Sequence, residues 1–184
     1  MRILLILSAL MLSACTSTQG LSVYSFSNED IESVLIKQLP KLSENVNLMG
    51  LPVKFAVNDL DVVIGPGNRD VVLIRLDTSA IIDAFAFTYP VGLKLQVQGS
   101  PFYDSQKKAI FLRDVSLLDS SIDAGRFRGN LGTLNNEAIS IINAFLAQNP
   151  VYTLNSNDPK IVLLSKLPLD LKVENGAINI IPRL

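Results

Sequence analysis

From Pro52 to Asp123 the chain is written almost entirely in β-branched and other apolar residues, in long runs separated by turn chemistry. Runs of this length with period-two alternation commit the middle of the chain to long antiparallel strands, because a helix would scatter the same apolar set around its axis. Val53, Phe55 and Val57 share one parity and Leu60, Val62 and Ile64 the other. A bulge at Asn58–Asp59 is therefore expected to keep both sets on one face. The run GPGN from Gly65 to Asn68 is a turn, and a second strand is predicted from Asp70 to Ile82. Phe85 to Pro90 reads as a connector. Val91, Leu93, Leu95 and Val97 then alternate with Lys94, Gln96 and Gln98 as a half-buried strand. After a turn over Asp104–Lys108, Ala109 to Ile122 supplies the fourth strand of an antiparallel meander.

Helical periodicity flanks this block. Leu21 to Phe26 is a short strand, Ser27 stands three residues before Asp30 as an N-cap, and Ile31, Val34, Leu35, Leu39 and Leu42 follow at helical spacing. Pro40 is expected to end or kink that helix near Leu39, with a loop from Ser43 to Leu51. A second helix is predicted over Leu131–Gln148 with Leu134, Ala138, Ile141, Ile142 and Phe145 as its stripe. Val151–Leu154 reads as an edge strand, and Asp158-Pro159 opens a short helix to Leu167. Leu169–Val173 and Ala177–Ile181 flank Asn175-Gly176 as a type I′ hairpin. The fold class is α+β.

Composition removes most catalytic chemistry. The 184 residues include no histidine, no tryptophan and one cysteine. Imidazole triads, Cys-His pairs and imidazole zinc sites are excluded, and no metal or cofactor is expected. Asp59, Asp61, Asp77 and Asp83 show no spacing that pairs them, and no nucleophile sits in a recognisable elbow, so no enzyme is expected. Sixteen basic against seventeen acidic residues, without a dense basic stretch, argue against a nucleic-acid partner.

The N-terminus is an address. Arg2 precedes an apolar run from Ile3 to Leu12 that is too short to span a bilayer, and Leu12-Ser13-Ala14-Cys15 follows. That ending resembles the bacterial lipoprotein box, which implies diacylglyceryl and palmitate attachment at Cys15 and removal of residues 1–14 as a signal. Thr16 in place of aspartate implies, by the same resemblance, sorting to the outer membrane and a periplasm-facing domain. Residues 15–20 are then a short lipidated tether, and residues 21–184 a single domain close to the lipid surface.

The stretch GSPFYD from Gly99 to Asp104, AIFL from Ala109 to Leu112, NPVYTL from Asn149 to Leu154 and the terminal hairpin closing on Ile181-Pro182 extend the argument. With Cys15 they make the chain resemble the YceB-like family of outer-membrane lipoproteins, whose function is unassigned. The family in turn resembles the tubular lipid-binding (TULIP) superfamily, which implies a long curved antiparallel meander wrapped around one or two helices, a half-barrel. It also implies an apolar ligand, a lipid or small molecule, in the groove between sheet and helix. The family has no established catalytic residues to carry over.

Geometry frames the same question. Four strands present ~19 Å of width against ~10 Å for one helix, so the sheet must curl or leave apolar surface uncovered. Full curling gives a filled core, and partial curling gives a groove. Phe85, Phe87 and Tyr89 could line a groove mouth, dip into lipid headgroups or cap a core. Arg126 and Arg128, expected just before a helix N-terminus, could hold a phosphate headgroup or stand as solvated loop residues. A non-enzymatic lipoprotein that docks an envelope complex through an exposed edge or patch is the alternative to ligand binding.

Overall fold

The computed structural model describes residues 24–43, 46–48, 51–84, 87–130, 132, 135–155, 157–164 and 166–183. The signal, Cys15, the tether and Phe85 lie outside the described residues, as does the start of the first predicted strand. Strand β1 (Tyr24–Ser27) passes into helix α1 (Asn28–Ser43) through a capping box. The Ser27 amide donates to Asp30 Oδ2 at 2.9 Å, and the Asp30 amide donates to Ser27 Oγ at 3.3 Å. Two amides that helix geometry leaves unpaired are thereby satisfied.

Of the two alternatives at Pro40, an end is excluded: α1 continues through it to Ser43. Proline there deletes one backbone donor in the last turn, while Ile31, Leu35 and Leu39 stay buried along the stripe. Packing of that face outweighs local propensity. The expected loop after it contains strand β2 (Val46–Leu48), which pairs with β3 (Leu51–Ile64).

Strands β3, β4 (Val72–Ala84), β5 (Phe87–Asp104) and β6 (Ala109–Ala124) form the predicted meander. Strand β7 (Phe127–Gly129) extends it to the order β2-β3-β4-β5-β6-β7, and β8 (Tyr152–Thr153) pairs with the opposite end of β6. The connector expected at 85–90 is mostly strand. Pro90 is tolerated inside β5 because it pairs only with Ile81 of β4, past the end of the β6 pairing at Gly92.

The sheet curls at its irregularities. Between β3 and β4 the register shifts at Val57/Asp59, leaving Asn58 as the extra residue and placing Val57 opposite Thr78 and Leu60 opposite Leu76 on one face. Strand β6 shifts twice against β5, once leaving Leu118 unpaired and once beside Asp114, whose φ is 54°. Bulges increase local twist and bend the strand, and here they turn a long meander into a half-barrel.

Helix α2 (Asn135–Gln148), shorter at its start than predicted, and helix α3 (Pro159–Leu164) complete the α content. The terminal hairpin is β9 (Leu169–Glu174) and β10 (Ala177–Pro182), and β1 joins it as a separate three-stranded sheet, order β1-β10-β9. The turn is not type I′. Gly176 has φ 80° while Asn175 stays out of the positive-φ region, the sign pattern of a type II turn. This geometry lets the Gly176 amide donate to the Ile64 carbonyl at 2.9 Å, tying the hairpin to the end of β3.

One core joins these parts. The concave faces of β3–β6 supply Leu60, Val62, Ile64, Val72, Ile74, Val97, Ile110 and Leu112. Against them pack Ile31, Leu35 and Leu39 of α1, Leu146 of α2, Ile161 of α3 and Phe26, Ile178 and Ile180 of the small sheet.

Candidate functional site

The half-barrel's concave face is the place to look for an apolar site, and strand parity fixes its membership. Along β4 the inward residues are Val72, Ile74, Leu76, Thr78 and Ala80, opposite Val97, Leu95, Leu93 and Val91 of β5. Around Ile64, Val72 and Val97 this face is filled by the helices and the small sheet. Farther along the strands the lining continues in two smaller clusters, the first of which shares Leu76, Leu117 and Ile142 with the main core. One joins Leu93 and Leu95 with Leu76, Leu117, Ile122 and Ile142, and the other joins Ala80 and Val91 with Ile122 and Ala124.

Small side chains line this far end. Thr78 donates its hydroxyl to the Leu93 carbonyl at 3.0 Å, so its polar atom is tied to backbone. The position is thereby made compatible with an apolar lining. On β3 the same face changes from fully buried Ile64, through Val62 at 2% and Leu60 at 5%, to Val57 at 37% exposed. Thr78, Ala80, Val91, Leu93 and Leu95 of the neighbouring strands stay buried, so the exposure on this face is at Val57.

Phe87 and Tyr89 occupy register positions four and two residues before Val91 on β5, opposite Ala84 and Ile82. They belong to the strand, not to a connector. Phe85, the third of this group, is outside the described residues.

Arg126 and Arg128 are placed differently from expectation. They sit on the β6–β7 hairpin, where Arg128 pairs in register with Asp123 and its Nε stands 3.0 Å from Asp123 Oδ2. The turn is closed by Gly125, whose amide donates to Asp123 Oδ1 at 3.0 Å. Helix α2 is described from Asn135, and Gly132 before it has a φ of 51°, outside helical geometry. The two arginines are thus hairpin residues, and Arg128 already holds a carboxylate.

Sequence spacing failed to pair the acidic residues, but strand register does pair them. Asp59 lies opposite Asp77, Asp61 opposite Arg75, Lys94 opposite Asp77 and Gln96 opposite Asp119, all on the outward face. They line an outer depression of about 560 Å³. Its charges are largely internally matched: Arg75 bonds Asp61, Lys94 Nζ stands 3.0 Å from Asp77 Oδ2, and Asn58 Nδ2 donates to Asp77 Oδ1 at 3.3 Å. The Lys94 hydrogen bond, followed by that from Asn58, holds the Asp77 carboxyl below the usual carboxylate range. Only the cross-strand partner of each aspartate would have revealed this ladder, and that partner depends on the bulge at Asn58. Among the described residues no three His, Cys, Asp or Glu side chains group to hold a metal ion. No described helix is long and apolar enough to cross a membrane.

Comparison with known proteins gives a consistent result. Residues 26–177 match the family model described as "Protein of unknown function (DUF1439)". Over 178 residues, 96% of this chain and 93% of the relative, the sequence is 24% identical to the uncharacterized lipoprotein YceB of Salmonella typhimurium. It is 23% identical, with the same coverage, to the uncharacterized lipoprotein YceB of Escherichia coli.

Proposed function

Since the chain belongs to the DUF1439 family of proteins of unknown function, we propose that it is a lipoprotein of the outer membrane that holds an acyl chain or similar apolar ligand against its curved sheet. Diacylglyceryl attachment at Cys15 anchors it, the domain faces the periplasm, and the activity is binding and not catalysis. The names of its relatives as lipoproteins and its own LSAC box ending at Cys15 support the anchor. Two or more acyl chains are needed for lasting attachment, which the lipoprotein modification supplies.

The observation that carries the ligand reading is the apolar lining beyond the core, where Ala80, Val91, Ile122 and Ala124 cluster apart from the main core and Val57 stays partly exposed on the same face. Ligand pockets are concave, mostly apolar and poor in charge, as this end of the inner face is, and the charged outer depression is not. Labelled palmitate fed to producing cells should enter the wild-type protein and not Cys15→Ala. Native mass spectrometry of the purified protein should show a bound apolar molecule, lost or reduced when Val57→Glu puts a carboxylate on the lining. A ligand-free mass in wild type, or an unchanged ligand in Val57→Glu, would reject the site.

A further inference from the structure

The chain contains a single Asn-Gly dipeptide, Asn175-Gly176, and it stands at the tip of the β9–β10 hairpin. Such a pair is intrinsically prone to deamidation, because glycine has no Cβ to hinder attack of its backbone nitrogen on the preceding side-chain amide. In that step the Gly176 nitrogen gives its proton to water and bonds to Asn175 Cγ, and ammonia leaves as a cyclic succinimide closes. Water then opens the ring at either carbonyl, leaving aspartate or isoaspartate at 175. Isoaspartate carries the main chain through its Cβ, so the backbone gains a methylene.

Asn175 is exposed, so water reaches it. The folded joint nevertheless withholds the nucleophile. The Gly176 amide donates to the Ile64 carbonyl at 2.9 Å, and Ala177 stands in register with Glu174. The turn backbone is thereby kept from rotating the Gly176 nitrogen onto the Asn175 side chain. Gly65 lies so close behind the tip that a Cβ on it would stand 2.4 Å from the Glu174 carbonyl oxygen and 3.2 Å from the Asn175 amide nitrogen. Farther along the hairpin, Ile178 and Ile180 are buried in the main core with Ile64 and Val72. Nucleophile and turn are released together, when the hairpin tip parts from the end of β3.

We propose that Asn175 is a latent self-modification site, and that its conversion is a one-way latch on the joint between the two sheets. A docked hairpin keeps asparagine. A parted hairpin forms the succinimide, and the methylene that isoaspartate adds at the tip takes the Gly176 amide out of reach of the Ile64 carbonyl and bars re-docking. A transient opening becomes a lasting one, and it loosens the cover that the small sheet places over Ile64 and Val72.

In the test, the purified protein is held at mildly alkaline pH and digested at intervals, and the peptide containing residue 175 is resolved by mass spectrometry into asparagine, aspartate and isoaspartate forms. Conversion in native wild type is expected to be about tenfold or more slower than in urea-unfolded protein, because a hydrogen bond of ordinary strength holds back the attacking nitrogen. Gly65→Ala, which forces turn and hairpin apart, should recover most of that factor, whereas Gly67→Ala, where a Cβ meets nothing within 4 Å, should not. Leu146→Ala, a core truncation in α2, is the reference for global unfolding and should convert more slowly than Gly65→Ala at equal folded fraction by circular dichroism. Native conversion as fast as in urea, or Gly65→Ala no faster than Leu146→Ala at equal folded fraction, overturns the site. The isolated isoaspartate form should exchange its Gly176 amide freely with deuterium, while Asn175→Asp retains protection there. An isoaspartate form with its Gly176 amide protected as in wild type overturns the latch.

Discussion

Gly65 and Gly67 form an internal control for how the two sheets are joined. Their φ angles are 62° and 64°, so alanine at either position incurs the same left-handed backbone penalty, about 1–2 kcal/mol. Their surroundings differ. A Cβ on Gly65 would lie 2.4 Å from the Glu174 carbonyl oxygen and 2.8 Å from its carbon, whereas a Cβ on Gly67 meets nothing within 4 Å. Both atoms at Gly65 are backbone, so relief requires the turn and the β9–β10 hairpin to part by nearly an ångström. That separation strains the Gly176 amide bond to the Ile64 carbonyl (2.9 Å) and the Ile64 amide bond to Asn28 Oδ1 (2.9 Å). At about 1 kcal/mol each, losing both brings Gly65→Ala to about 3–4 kcal/mol, against about 1–2 kcal/mol for Gly67→Ala. For a domain of this size 1 kcal/mol moves Tm by about 2–4 °C, so the two variants should melt at clearly different temperatures. Thermal and urea unfolding followed by far-UV circular dichroism measure both. Equal destabilisation of the two variants would refute the close approach as the joint between the sheets.

Other expectations follow from single contacts. Asn28→Ala leaves the buried Ile64 amide unpaired and should cost about 1–3 kcal/mol in urea unfolding, while Asn28→Asp, which keeps the acceptor, should recover most of it. Ile64→Ala, in the filled half of the concave face, should cost about 2–5 kcal/mol, whereas Val57→Ala, at the uncovered end, should cost well under 1 kcal/mol. Comparable losses would mean that both halves are packed alike. Asp77 is held below the ordinary carboxylate range, so its contribution to stability is present above the unfolded-state pKa and is lost as pH falls through the lower folded value. An NMR titration of the Asp77 carboxyl should shift its midpoint upward in Lys94→Met, and an unmoved midpoint would remove Lys94 as the main cause.

The parts of the fold legible in the sequence are those set by local period and turn chemistry. The Asn58 bulge followed from a parity change between Val57 and Leu60, and the α1 start from Ser27 and Asp30. What escaped was decided by contacts distant in sequence. Pro40 stays helical because Leu39 is held in the core, and Asn175-Gly176 leaves the expected turn type because Gly176 bonds Ile64. β1 pairs with β10 across some 150 residues, for which no local signal exists. The candidate site divides likewise. Its apolar strands were visible as alternation, but the outer aspartates were brought together by register alone, and Arg126 and Arg128 were misplaced because their glycines were taken to lead into a helix.

Side-chain volume along the concave face bears most directly on what this protein does. On β4 the inward series runs Val72, Ile74, Leu76, Thr78, Ala80, and on β6 it passes from Leu117 through Ser120 and Ile122 to Ala124. Large branched residues meet the helices at one end; toward the other, Thr78, Ala80 and Ala124 are small, while the register sets Phe55 and Val91 on either side of Ala80. Protein interiors are packed at a density of about 0.74, and an apolar lining left without neighbours loses its dispersion contacts outright. Ala80 and Val91 are nonetheless buried, and Val57 is the exposed member of the same face. Helix α2 brings Ile142 to Leu93 and Leu95, but the cluster of Ala80 and Val91 draws its described partners, Ile122 and Ala124, from the sheet itself. If the proposed ligand lies against this end of the sheet, bound-lipid stoichiometry should fall when Ala80→Leu adds volume to the lining, and an unchanged stoichiometry would argue against that placement.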